Sequence, residues 1–141
     1  MIPIKRLTDT LSVAPQISEA DLATLAAQGF RSVINNRPDG EEAGQPGSVA
    51  LAQAASQAGL EYRHIPVVPG QLQDAQVAAF SAALAEMPAP TLAFCRTGTR
   101  STMLWALQAK GSADAILATA GKAGYDLSAL RPRLGDAVHR R

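Results

Sequence analysis

Strand-like and helix-like segments alternate along this chain, each closed by glycine or proline, and that rhythm restricts the possible folds more than any other feature. Short apolar runs separated by longer helical stretches predict an α/β domain whose crossover helices cover a mainly parallel sheet. Ile2–Leu7 and Leu11–Pro15 read as short early strands. Ser18-Glu-Ala-Asp21 supplies an N-cap with an acidic residue three positions on, opening a helix to Gln28 that Gly29 ends. Val33-Ile34 centres a buried strand over Arg31–Asn35, and Arg37-Pro-Asp-Gly40 breaks it as a turn. After a loop at Gly44–Gly47, Ser48 caps a helix to Ala58, Glu61–Ile65 forms the next strand, and Pro66 with Pro69-Gly70 stiffens the loop that follows. A helix over Asp74–Glu86, a strand over Thr91–Cys95 and a helix from Thr99 to Lys110 complete the pattern.

With 141 residues, 47% of them hydrophobic and 18% charged, the chain has the length of one domain and enough apolar side chain for a core. The expected unit is 1–141, with a folded core over about 2–130 and a polar, basic tail over Arg131–Arg141. A formal charge of +1 does not suit a general polyanion binder, so nucleic acid is not an expected partner. The most apolar stretch, Ala75–Cys95, is interrupted by Ser81, Glu86, Pro88 and Pro90, so no membrane span is expected. Polar and charged residues appear early at the N-terminus, before any signal-like apolar run, and the expected location is cytoplasmic. One cysteine, Cys95, cannot form an internal disulfide or a multi-thiolate metal site, and His64 and His139 add too little for a zinc cluster. Neither a metal nor another cofactor is expected.

The segment Cys95-Arg-Thr-Gly-Thr-Arg-Ser101 joins a predicted strand to a predicted helix. A loop at the carboxyl end of a parallel strand aims backbone N–H groups and the positive end of a helix dipole at one point, which suits an anion. Gly98 permits the positive φ that a curled loop needs, and Arg100 offers a planar fork for two oxygen atoms. The same field acts on Cys95: helix N-termini and nearby cations lower a thiol pKa from about 8.5 to about 3.5–7.5, so a thiolate is expected. A thiolate beside an anion cradle is a nucleophile next to the group it attacks. Phosphoryl transfer through a cysteinyl-phosphate and sulfane-sulfur transfer through a cysteine persulfide both fit. A buried core cysteine is the bland alternative, and a non-catalytic anion or phosphopeptide binding module is a third reading.

The loop resembles that of rhodanese-like sulfurtransferases, which often carry Cys-Arg-x-Gly-x-Arg-Ser, more closely than the signature of cysteine-dependent phosphatases, which is cysteine, five residues, arginine. Four residues separate Cys95 from Arg100, and Ser101 holds the position of the phosphatase arginine. Further motifs, Pro15-Gln-Ile-Ser18, Val33-Ile-Asn-Asn-Arg-Pro-Asp-Gly-Glu-Glu42, Gly44-Gln-Pro46 and Tyr62-Arg-His-Ile-Pro-Val67, together with the cysteine loop, resemble the phosphatase-like domain of beta-lactamase hydrolase-like proteins over about residues 2–130. The resemblance implies a fold similar to dual-specificity phosphatases. It also implies phosphatase or sulfurtransferase chemistry, and often a joined metallo-hydrolase linked to sulfide detoxification.

Cys95 and Arg100 are then the expected catalytic pair, with Arg96, Thr97, Gly98, Thr99 and Ser101 around the anion; Ser101 would donate to the thiolate or cap the next helix. Asn36, Arg37, Asp39 and Asp74 are expected around that site. Phosphate-ester hydrolysis needs an acid to protonate the leaving oxygen. In the resembling phosphatases it stands three residues after the strand-end proline, where this chain has Pro69. Asp74 at a helix start and Asp39 in the turn are the substitutes. Sulfur transfer expels a thiolate or sulfite and needs no such donor. The sequence therefore favours a sulfurtransferase using thiosulfate or a persulfide as donor and an external thiol as acceptor, with a separate metallo-hydrolase or persulfide dioxygenase as a possible partner. A phosphatase acting on a phosphate ester is the alternative.

Overall fold

A computed structural model describes residues 2–135. Ten elements of regular structure follow in the order β1 (Lys5–Arg6), β2 (Leu11–Ala14), α1 (Glu19–Ala27), β3 (Ser32–Asn35), α2 (Ser48–Gln57), β4 (Glu61–His64), α3 (Asp74–Glu86), β5 (Thr91–Phe94), α4 (Thr99–Gln108) and α5 (Ala113–Lys122), before a 3-10 turn over Ser128–Arg133. The strands form one sheet in the order β1-β2-β5-β3-β4. Only the pairing of β1 with β2 is antiparallel, and the other three are parallel. The α/β architecture with a mainly parallel sheet is therefore the one the sequence predicts.

Side chains alternate across the central strands as the two-residue period requires. Val13, Ala93 and Ile34 lie in register and face Phe80, Leu104, Trp105 and Ile116 of α3, α4 and α5. Leu92, Phe94 and Val33 point the other way, against Leu22 and Leu25 of α1 and Leu51 and Ala55 of α2. Burial of each large side chain in these layers contributes about 1.5–3 kcal/mol. β5 and its neighbour β3 are buried on both faces, so the loops at their carboxyl ends are held on a rigid base.

Several boundaries differ from the expectation. β1 spans two exposed residues instead of Ile2–Leu7, because only Lys5 and Arg6 face a partner strand. The α2 cap is Gly47, not Ser48; Ser48 is the first helical residue, and its N–H is satisfied by Asp39 Oδ1 at 2.8 Å. Helix α5 has no counterpart in the sequence reading, although Ser112 caps it through Ala115 N–H and Ile116 and Ala120 bury one face. The Ser112 cap and the apolar spacing Ile116–Ala120 were legible signals for it. Residues 131–135 are no tail: Arg131 pairs with Asp114 at 2.7 Å, Leu134 is fully buried and Gly135 is buried beside it. The rest of the expected tail, 136–141 including His139, lies outside the described residues. Among the described residues, no helix is long and apolar enough to cross a membrane.

Candidate functional site

Cys95 follows β5 directly, at the point where the chain leaves the sheet, and is 1% exposed. Gly98 has φ +94° and is the N-cap of α4, so the loop curls back and the Gly98 N–H donates to Cys95 Sγ at 3.1 Å. That is the positive φ expected at this glycine, and it aims the Gly98 N–H at the sulfur. Thr102 Oγ1 closes the turn by donating to the Gly98 carbonyl at 2.8 Å. Thr97 and Thr99 join hydroxyls at 3.1 Å on the outer side of the loop. Arg96 is exposed, and its carbonyl accepts from Gln16 N–H at 3.2 Å, tying the loop to the chain after β2.

Ser101 does not serve either expected purpose in this structure. It lies inside α4, fully buried, and its hydroxyl donates to Asn36 Oδ1 at 2.8 Å. Asn36 is a junction: its N–H donates to the Phe94 carbonyl at 2.8 Å and its Nδ2 to the Ile65 carbonyl at 3.0 Å. It therefore clamps three strand ends together. Its neighbour Arg37 is 1% exposed yet satisfied on all three nitrogens, by Glu41 Oε1 at 2.7 Å, Gln16 Oε1 at 3.0 Å and Glu42 Oε1 at 3.0 Å. Burial works against its charge, but the hydrogen bonds and charges of Glu41 and Glu42 outweigh burial and raise its pKa. His64 Nε2 donates to the Arg37 carbonyl at 2.8 Å, a structural contact.

Arg100 meets the same carboxylate from the other side. Its Nη1 donates to Glu41 Oε2 at 2.8 Å and to the Val67 carbonyl at 2.7 Å, while Nη2 donates to Glu41 Oε1 at 2.9 Å. The Arg100 hydrogen bond holds the Glu41 carboxyl below its ordinary range, and Arg37 assists against the opposing effect of burial. A cleft of about 560 Å³ opens here, lined by Arg37, Glu41, Glu42, Val68, Pro69, Arg96 and Arg100. Arg37 and Arg100 are both paired with glutamates within this cleft, and Arg96 is the exposed cation on its wall. Cys95 is not on that wall; its sulfur lies under the loop that carries Arg96 and Arg100.

The two expected acids are elsewhere. Asp74 is fully exposed at the start of α3, with Arg133 3.8 Å away, and Asp39 is engaged at the start of α2. Sequence reasoning assigned no role to Glu41, Glu42, Gln16 or Tyr125. The charge pattern Arg37-Pro-Asp-Gly-Glu-Glu42 was a usable signal for the two glutamates. Tyr125 follows the unforeseen α5 and donates to the Thr97 carbonyl at 3.0 Å. Burial, and then the nearby Cys95 charge, raises its phenol pKa. A Cβ on Gly98 would collide with the Tyr125 hydroxyl, so glycine is required there for space as well as for φ.

A family model described as the phosphatase-like domain of the beta-lactamase hydrolase-like protein matches residues 3–127. The beta-lactamase hydrolase-like protein of Agrobacterium fabrum is 44% identical over 102 residues, covering 72% of this chain and 24% of that protein. The chain thus spans about a quarter of the length of that curated relative. A Neisseria meningitidis crystal structure, described as that of a candidate phosphatase, is 35% identical with a TM-score of 0.83, over 97% of this chain and 99% of that one. TpbA of P. aeruginosa, solved in complex with phosphotyrosine, shares the fold at 19% identity and a TM-score of 0.62, covering 90% of this chain and 77% of that one.

Proposed function

Because the chain belongs to the family of the beta-lactamase hydrolase-like protein's phosphatase-like domain, we propose that it is a cysteine-nucleophile enzyme for small anions whose cargo is sulfane sulfur, carried on Cys95 as a persulfide. The observation that carries this reading is the condition of the carboxylates. Of the acidic residues lining the cleft, Glu41 is ionised between two arginines and Glu42 is paired with Arg37. Asp39 is bound to a helix N–H and Asp74 faces solvent. No one of them is placed as the protonated donor that an alkoxide leaving group needs, a contribution of about 100 to 10,000-fold.

Sulfur transfer is balanced without that donor. The Cys95 thiolate attacks the outer sulfur of a persulfide or thiosulfate, an S–S bond forms, and the donor's own S–S bond breaks with its electron pair leaving on a thiolate or sulfite. A thiol or cyanide then takes the sulfur by the same displacement. Cys95 is the single cysteine of the 141 residues, so the acceptor lies outside these residues. A reducing cytoplasm, which keeps a lone thiol free, and a separate persulfide-oxidising metallo-hydrolase fit this chemistry.

Hydrolysis through a cysteinyl-phosphate is the second reading, and the comparisons favour it over sulfur transfer: the family description and the Neisseria relative both speak of a phosphatase. One experiment separates the two. Purified protein is incubated in parallel with thiosulfate plus cyanide, a glutathione persulfide source, and p-nitrophenyl phosphate, and the Cys95 peptide is weighed by mass spectrometry. The expected result is a gain of one sulfur atom on Cys95, fastest with the persulfide source and slower with thiosulfate. Robust release of p-nitrophenol with no sulfur adduct would overturn the proposal in favour of the phosphatase.

A further inference from the structure

The arginine of the cysteine loop is already holding a carboxylate. Both outer nitrogens of Arg100 donate to Glu41, at 2.8 and 2.9 Å, in the forked arrangement that such an arginine otherwise offers to two oxygens of a ligand. Arg37, fully engaged, fixes the same carboxylate from behind through Nε. Glu41 itself is anchored by its backbone, whose N–H donates to Gln45 Oε1 at 3.1 Å, while Gln45 Nε2 donates to the Pro38 carbonyl at 2.8 Å. An internal anion thus occupies the guanidinium pair beside the cysteine loop.

We propose that Glu41 is a charge-selecting gate, which makes the site discriminate against dianions and accept ligands whose reacting group carries a single negative charge. Among the cleft residues the three arginines Arg37, Arg96 and Arg100 and the two glutamates Glu41 and Glu42 sum to one positive charge. A monoanion matches that charge. A dianion leaves an excess negative charge next to a half-buried carboxylate, where like charges repel more strongly than in water. A phosphate monoester is mostly dianionic at neutral pH, since its second pKa is about 6. Thiosulfate is a dianion as well, whereas the reacting end of an alkyl persulfide carries one charge. The gate can open without stranding a bare charge, because releasing Arg100 leaves Glu41 bonded to Arg37.

The inference rests on the reading of Cys95 as the nucleophile, but not on the choice between sulfur and phosphate. Inorganic phosphate and thiosulfate are titrated calorimetrically into wild-type protein and into the E41Q, E41A and E42Q variants, with thermal melting to confirm folding. Glu41 lies outside the helices and strands, so its variants keep the sheet and core intact. E41Q and E41A are expected to bind both dianions about tenfold tighter, the ordinary size of one close charge interaction. E42Q removes a charge that is bonded to Arg37 and not to Arg100, and whose side chain is 54% exposed and therefore screened by solvent, so it is expected to change affinity by less than about threefold. Initial rates should follow, with the ratio of p-nitrophenyl phosphate to alkyl persulfide turnover rising about tenfold in E41Q. Unchanged or weaker dianion affinity in both folded Glu41 variants overturns the gate, and so does an equal gain in E42Q. Absent sulfur transfer in wild-type protein, with tighter dianion binding by the Glu41 variants, sinks the proposed chemistry and leaves the gate standing.

Discussion

Two loops meet at the carboxyl edge of the sheet, and they are built by different means. The one after β5, residues 95–101, is held by its own backbone: Gly98 turns it, its N–H reaches Cys95 Sγ, and α4 begins at once. The one after β3, residues 36–47, is held by side chains, with Arg37 at its root bound to Gln16, Glu41 and Glu42. Arg100 and Ser101 join the two, through Glu41 and Asn36. In the proposed chemistry the first loop would supply the nucleophile and a helix dipole, and the second would set the charge that the arginine presents. Reactivity and selectivity would then be carried by separate segments, which substitutions can address one at a time.

The largest effect belongs to the backbone-built loop. C95S should lower turnover of either substrate class by at least about a thousandfold with the melting temperature nearly unchanged, since the group that forms the covalent intermediate is lost. Retained turnover in that variant would remove Cys95 from the chemistry. G98A comes next: its methyl group meets the Tyr125 hydroxyl and its φ of +94° is strained for any other residue. We expect a loss of about 1–3 kcal/mol in denaturant unfolding and about a hundredfold in kcat, because the Sγ donor moves. A wild-type-like G98A would show that the curl does not position the sulfur.

The side-chain loop is sharpened by pH. Glu41 has its carboxyl held below the ordinary 4.5, so the stabilisation it brings is complete above that value and is lost as pH falls through its lower, folded-state value. Wild-type protein should exceed E41Q by about 1–3 kcal/mol at neutral pH, and the gap should close in acid below 4.5. A gap that stays constant in urea unfolding curves down to strong acid would mean that the ion pairs contribute nothing. The smallest effect is expected at D74N, whose carboxylate faces solvent: kcat/KM for p-nitrophenyl phosphate should stay within about twofold. A hundredfold drop there would make Asp74 the missing acid and strengthen the phosphatase reading.

How much of this was readable in advance follows from how local each feature is. The order of strands and helices through α4, the cysteine loop and the left-handed Gly98 all depend on residues within one short segment, and the sequence displays them directly. Helix α5 was also encoded locally, by the Ser112 cap and the stripe of Ile116 and Ala120, and is the one such element that the sequence reading passed over. Its loss concealed Tyr125, which reaches the loop only after the chain turns at Gly124. Asp39 and Asp74 looked like available acids because a sequence shows that a carboxylate exists and not what it touches.

By itself, the sequence determined the α/β alternation, the family, and the placing of the lone cysteine at a strand end before a glycine-curled loop, because periodicity, capping and turn preference act over a few residues. Only the tertiary structure decided that Arg100 faces Glu41, 59 positions away along the chain, and that Ser101 binds Asn36, 65 away. No local preference encodes those contacts: they arise when β3 and β5 pair in parallel and bring two distant strand ends to the same edge of the sheet.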